Sequence, residues 1–108
     1  MSYKVEVTTL FKKQSKRLLK KYPSLKTELI TLVNQLEEEP TKGKSLGNSC
    51  YKIRLAIASK NKGKSGGARV ITHVHIIKTT VFLFSIYDKS DQEDITDKDL
   101  EIWISSVQ

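Results

Sequence analysis

Residues 51–87 read YKIRLAIASKNKGKSGGARVITHVHIIKTTVFLFSIY, and this run decides the architecture. Three segments within it, at about 51–58, 68–77 and 80–87, are rich in Val, Ile, Phe and Tyr and are joined by short connections. The pattern predicts three strands with antiparallel neighbours, because a short connection reverses the chain whereas parallel pairing needs a long crossover. Lys52 and Arg54 lie two residues apart on the first strand, the following loop adds Lys60, Lys62 and Lys64, and Arg69 opens the second strand. Six cations therefore surround one strand–loop–strand unit with no acid among them. Such clustering predicts a surface for a polyanion, and RNA phosphate is the first candidate.

Strand alternation divides the first segment in two. Tyr51, Ile53, Leu55 and Ile57 take one face and belong in a core, while Lys52, Arg54, Ala56 and Ala58 take the other. Two cations with small neighbours leave room for a ligand. Tyr87, Asp88 and Lys89 end the third strand, where Lys89 is a candidate phosphate contact and Tyr87 a candidate for stacking on a base.

Working outward, residues 3–8 (YKVEVT) alternate apolar and polar side chains as a half-buried strand does, and it must return beside the later strands to bury Val5 and Val7. Thr8 or Thr9 caps a helix through about Tyr22, with Phe11, Leu18 and Tyr22 on one side. Lys12, Lys13, Lys16, Arg17, Lys20 and Lys21 make its other side basic. Pro23 ends this helix and Ser24 is placed to cap a second, in which Leu25, Leu29, Leu32, Val33 and Leu36 recur at helical spacing before Glu37–Glu39 and Pro40. The two helices are expected to form an antiparallel hairpin.

Residues 41–50 and 88–95 read as polar loops. Thr96 and Asp99 form a T-x-x-D capping box for a last helix, whose Leu100, Trp103, Ile104 and Val107 face inward. The resulting order, βααβββα, predicts an α+β fold of two layers, a largely antiparallel sheet with helices over one face, built as one domain over residues 1–108.

Composition narrows the function. Hydrophobic residues make up 38% and charged residues 29%, which fits a globular chain of this length. No apolar run approaches the roughly 18 residues of a membrane span. The start, MSYKVEV, has no signal-peptide apolar region, and a lone Cys50 predicts a reducing compartment, so a cytoplasmic protein without a membrane partner is expected. The net charge of +7 is uneven: residues 1–69 hold 16 of the 19 Lys and Arg but 5 of the 12 acids.

Several other chemistries fit poorly. Gly63-Lys64-Ser65 matches the end of a phosphate-binding P-loop, but the first glycine of that motif falls on Ala58 and a strand follows where a helix is required. The loop lysines are better read as clamps on a phosphate backbone. His73 and His75 alternate as two metal ligands would, but no further His or Cys completes a site, so they read as strand histidines facing solvent or a partner. The acids at 88–99 lack calcium-loop spacing and read as capping and solvating groups. No cofactor is expected.

The motifs YKIRL, KSGGARVI and FLFSIYDKSDQEDIT resemble the RelE/ParE toxin superfamily, and in particular its RelE/HigB-like branch, where a basic KGK loop precedes GGxR. The likeness runs over about residues 3–104. It implies a bacterial type II toxin–antitoxin module whose toxin is an endoribonuclease, entering the ribosomal A site and cutting messenger RNA without a metal. Implied partners are a cognate antitoxin, mRNA and the ribosome, and operator DNA through the toxin–antitoxin complex.

Carried over by motif, the resemblance makes Lys52 the candidate base and matches Arg54 to a second lysine. Arg69 then stabilises the transition state, and Lys89 is the candidate acid. Two positions depart from the pattern. Arg54 stays protonated and cannot act as a base. The tyrosine near the C-terminus of RelE aligns with Ile95, which leaves Tyr87 as its candidate replacement. The superfamily also contains ParE-like inhibitors of DNA gyrase, and an RNA- or ribosome-binding module without catalysis is a further alternative.

Overall fold

The computed structural model describes residues 2–60, 66–90 and 95–107, the side chain of Lys60 excepted. The expected clamps Lys62 and Lys64 lie outside the described residues.

The chain runs β1 (Lys4–Val7), α1 (Thr9–Lys21), α2 (Leu25–Glu38), β2 (Lys44–Gly47), β3 (Cys50–Leu55), a single 3₁₀ turn (Ala58–Lys60), β4 (Ala68–His75), β5 (Thr80–Asp88) and α3 (Asp97–Val107). The strands form one sheet in the order β1-β5-β4-β3-β2. Only the β1–β5 pair is parallel among the described strands; β2–β3, β3–β4 and β4–β5 are antiparallel. The expected α+β class, sheet character and element sequence are thus present, with one strand more than the sequence reading anticipated.

That strand is β2, in the segment read as a loop. Gly47 has φ +86°, and Asn48 and Ser49 sit at φ 52° and 60°. Two central residues with positive φ make the two-residue primed turn whose twist matches a hairpin, so β2 folds back on β3. Gly43 lets the two strands come together. At φ +106° an added Cβ would lie 2.6 Å from the Lys52 carbonyl oxygen and 2.9 Å from Ile53 Cγ1.

Two apolar clusters line the two faces of the sheet. Phe11, Leu18, Tyr22, Leu25, Leu32 and Leu36 of α1 and α2 pack on Ile53, Val70, Val74, Val81, Leu83 and Ile86. On the opposite face, Leu100, Trp103, Ile104 and Val107 of α3 join Cys50, Ile71, Phe82, Phe84 and Tyr87. The helices therefore lie on both faces rather than one. A bulge between Ile71 and Thr72 gives β5 one extra residue at Phe84 and shifts the alternation by one, so Leu83 and Ile86 share the α1 side and Phe84 and Tyr87 the α3 side although each pair is three residues apart.

The helix ends follow sequence in two cases and depart from it in one. The Thr8 hydroxyl accepts from Phe11 N–H at 3.2 Å and caps α1. At α3, Thr96 N–H donates to Asp99 Oδ2 and Asp99 N–H donates to Thr96 Oγ1, both at 3.2 Å, which completes the expected capping box. Ser24 sits at the α2 N-cap but makes no side-chain cap bond. Its hydroxyl instead donates to Glu28 Oε1 at 3.1 Å and accepts from Ser59 N–H at 2.9 Å, while Glu28 Oε2 accepts from Ala58 N–H at 2.7 Å. The start of α2 thus holds the 3₁₀ turn that follows β3, and the strand ends at Leu55 rather than near residue 58. Val7, expected in the core, is 42% exposed because β1 is an edge strand.

Candidate nucleic-acid interface

The register of β3 decides what the site can do. Cys50, Lys52 and Arg54 share the face opposite Ile53, and Cys50 alone among them enters the α3 cluster. Arg54 stands directly opposite Arg69 on β4, and Arg69 stands opposite Tyr87 on β5. Lys52 stands opposite Ile71 on one side and Lys44 of β2 on the other. Directly paired residues bring their Cβ atoms within about 5 Å. Four cations from three strands are therefore gathered on one face, in two like-charged cross-strand pairs, a pairing that strand association alone disfavours.

The surroundings of these residues differ. Arg54 is exposed and Lys52 half-buried, whereas Arg69 is only 4% exposed and its Nη1 donates to the Ala68 carbonyl at 3.1 Å. Arg69 is thus buried within the sheet, while its cross-strand neighbour Arg54 reaches solvent. A cleft of about 280 Å³ opens beside Lys52 and Arg54, lined by Lys42, Gly43, Lys44, Lys52, Ile53 and Arg54. Among the described residues, four basic side chains and no acid line it, which suits an anionic phosphate backbone.

Lys42 and Lys44 fall in the 41–50 segment, whose polar composition predicts a loop rather than a strand beside β3. The signal that would have found them is Gly47-Asn48-Ser49, a hairpin turn between KSL and CYK. Of the residues expected from sequence, Lys52, Arg54 and Arg69 are brought together. Lys60 contributes its backbone to the 3₁₀ turn at the end of this face. Lys89 is exposed just beyond β5, its N–H donating to the Gly67 carbonyl at 3.0 Å, so it lies at the sheet end where Arg69 begins.

Three expectations change. Tyr87 is 4% exposed and packs in the α3 cluster, so its ring offers no open face for stacking on a base. Asp88 is not a solvating loop acid: it is 2% exposed, and its Oδ2 accepts from the Tyr22 hydroxyl at 2.6 Å. His73 does not face solvent either. It is 6% exposed, stacks on Phe84 at 5.5 Å between ring centroids, and meets Cys50 Sγ through Nδ1 at 3.5 Å. Burial, reinforced by the neighbouring His75 and opposed by a hydrogen bond to the Asn48 backbone, lowers its pKa below the usual 6.5. Burial likewise pushes the Cys50 thiol up to about 11, which keeps it protonated and unreactive. Among the described residues, no group of three or more His, Cys, Asp and Glu is placed to hold a metal ion. Nor is any described helix long and apolar enough to cross a membrane.

Comparison with known proteins places the chain in a family. The profile of the family described as the RelE toxin of the RelE/RelB toxin–antitoxin system matches residues 8–106. Among solved structures, an E. coli RelE mutant in the free state is 20% identical and superposes with a TM-score of 0.62, covering 100% of both chains. The intact E. coli RelBE toxin–antitoxin complex contains a chain 22% identical, with a TM-score of 0.60 over 86% of this chain and 100% of that one. A comparison with curated proteins found no match. The structural likenesses, all at low identity, speak for the fold, and the family match covers almost the whole length. The chain belongs to the RelE toxin family of toxin–antitoxin systems.

Proposed function

We propose that this RelE-family toxin is a ribosome-dependent mRNA endoribonuclease, and that a cognate antitoxin neutralises it. The observation that carries the reading is the gathering of Lys44, Lys52, Arg54 and Arg69 in like-charged pairs on one face, beside a cleft lined by four basic side chains. Cations held against one another in a sheet gain most when an anion lies between them, and charge accumulates on phosphate during RNA cleavage.

In this scheme the ribose 2′-hydroxyl attacks the adjacent phosphorus and gives its proton to the amine of Lys52. The P–O5′ bond breaks as the new P–O2′ bond forms, and Lys89 delivers a proton to the departing 5′-oxygen. The products are a 2′,3′-cyclic phosphate and a 5′-hydroxyl. Arg69 and Arg54, paired across β4 and β3, hold the negative charge of the crowded phosphate. Arg54 takes no part in proton transfer, since a guanidinium does not deprotonate. The antitoxin is inferred from the family and from the RelB-bound state of the similar E. coli toxin.

The test is induced expression followed by mapping of transcript ends on translating ribosomes. Cuts within ribosome-protected codons, lost in Lys52→Ala at unchanged thermal stability, are the expected result. Growth arrest with intact transcripts and impaired supercoiling would assign the protein to gyrase inhibition instead. Salt-sensitive ribosome binding without any cut would leave a binding module.

A further inference from the structure

Asp88 and Tyr22 have no place in the scheme above, and their burial needs a reason. A carboxylate withdrawn from water loses several kcal/mol of solvation unless its oxygens are met by donors. Here both oxygens are met, by groups from different parts of the chain. Oδ2 accepts from the Tyr22 hydroxyl at 2.6 Å, the length of a charge-assisted bond, and Tyr22 is the residue that ends α1. Oδ1 accepts from Ser90 N–H at 3.0 Å and from Ser90 Oγ at 2.8 Å. Between these two anchors stands Lys89, whose own N–H is fixed to the Gly67 carbonyl at 3.0 Å.

Three consecutive residues are therefore secured to three different supports. Residue 88 is tied to the end of α1, residue 89 to the start of β4 and residue 90 to the carboxylate of 88. The side chain of Lys89 is exposed while its backbone is pinned on both sides. A loop lysine serving only solubility needs no such mounting. A cation that must meet a phosphate ester oxygen at fixed distance does, since a displacement of about 1 Å is enough to cost on the order of 100-fold in rate.

We propose that Tyr22 and Asp88 are positioning residues for Lys89: the Tyr22–Asp88 bond carries the rigidity of α1, packed on the sheet, across to the backbone from which Lys89 reaches the RNA. The proposal rests on the ribonuclease reading for what Lys89 does, and on the geometry alone for how it is held.

Tyr22→Phe removes one hydroxyl and leaves the ring in the core, so the fold survives the test. The experiment is a double-mutant cycle on the full chain, with single-turnover cleavage of mRNA on programmed ribosomes for wild type, Tyr22→Phe, Lys89→Ala and the double variant. Amide hydrogen exchange of residues 88–90 is read on the same proteins. Expected are a loss of about 10-fold in the cleavage step for Tyr22→Phe with KM within twofold, and no further loss when the change is made on Lys89→Ala. Protection of the Lys89 and Ser90 amides should fall in Tyr22→Phe.

A purely structural role would give the same fold-loss in both backgrounds and would overturn the proposal. So would unchanged exchange at 89 and 90. If Lys89→Ala cleaves at the wild-type rate, Lys89 is not the group being positioned and the proposal fails while the ribonuclease reading stands. If the wild type does not cleave, that reading fails, and the exchange measurement alone decides whether the Tyr22–Asp88 bond holds the Lys89 backbone.

Discussion

β5 and β3 belong to one sheet but use their side chains in different ways. All nine residues of β5 are buried, because α1 covers one face of it and α3 the other, while β1 and β4 pair along its two edges. Its polar members are accommodated internally: Ser85 Oγ and Ile86 N–H both donate to Gln14 Oε1, and Asp88 meets Tyr22. β3 lies one strand from the free edge, and beyond Cys50 its far face leaves the α3 cluster and turns basic. Stability is concentrated where both faces are covered. The cations stand where one cover stops, and they oppose one another within the sheet.

Two substitutions should separate these roles sharply. Phe84, 1% exposed and in ring contact with His73, Phe82 and Trp103, anchors the covered region. Phe84→Ala should lower unfolding free energy by roughly 3–5 kcal/mol, measured by urea denaturation, and should cost activity only by unfolding the protein. Arg54→Ala should do the reverse. Removal of an exposed guanidinium facing Arg69 leaves the melting temperature unchanged or higher, while the cleavage step slows by about 100-fold or more. A destabilised Arg54→Ala with normal cleavage by its folded fraction would erase the distinction between the regions. Arg69 makes a poorer test, because at 4% exposure its loss disturbs folding as well as chemistry.

The same contrast explains what could be read from sequence. β4 and β5 were legible because long β-branched and aromatic runs admit few other structures, and the two capping threonines, Thr8 and Thr96, stand beside periodic apolar residues. Lys52, Arg54 and Arg69 were legible as a cluster because alternation fixes which side chains share a face and short connections fix which strands are neighbours. β2 was missed because four residues with one apolar side chain, Leu46, carry almost no periodic signal. α3 was assigned inward-facing residues correctly, but sequence does not say which face of a sheet a terminal helix covers. Asp88 and Ser24 were misread for a shared reason. Their partners, Tyr22 and Ser59, are 66 and 35 residues away, and only the folded chain brings them within a hydrogen bond.

The strand missed by sequence also supplies a test of intermediate size. If the cleft beside β3 is a phosphate track, Lys42 and Lys44 act by charge and independently of the reacting group. The double variant Lys42→Ala/Lys44→Ala should bind single-stranded RNA more weakly at every sequence. Its plot of log affinity against log salt should be shallower by roughly 1.4, the value for two lost contacts. The chemical step at saturating ribosomes should be unaffected. An unchanged salt slope would confine the binding surface to Lys52, Arg54 and Arg69.

The smallest effect belongs to the covered region, where His73 is held neutral. Its pKa in the folded protein lies below the ordinary 6.5, so on acidification the unfolded chain takes up a proton that the folded chain resists. The contribution of this group to stability is full above about pH 6.5 and is lost as the pH falls below that value. Cys50 acts at the other end of the range. With its pKa raised from 9.0 to about 11, it supports the fold fully below pH 9 and loses that contribution as the pH climbs toward 11. His73→Phe preserves an aromatic ring against Phe84 and removes the titration, so between pH 7 and 5 its unfolding free energy should decline less than that of the wild type. The difference between the two curves isolates His73 from the carboxylates, which titrate in both proteins. Parallel curves would mean that the ring is hydrated in the folded state and that the α3 cover over β4 and β5 is less complete than the packing of Phe84 and Trp103 requires.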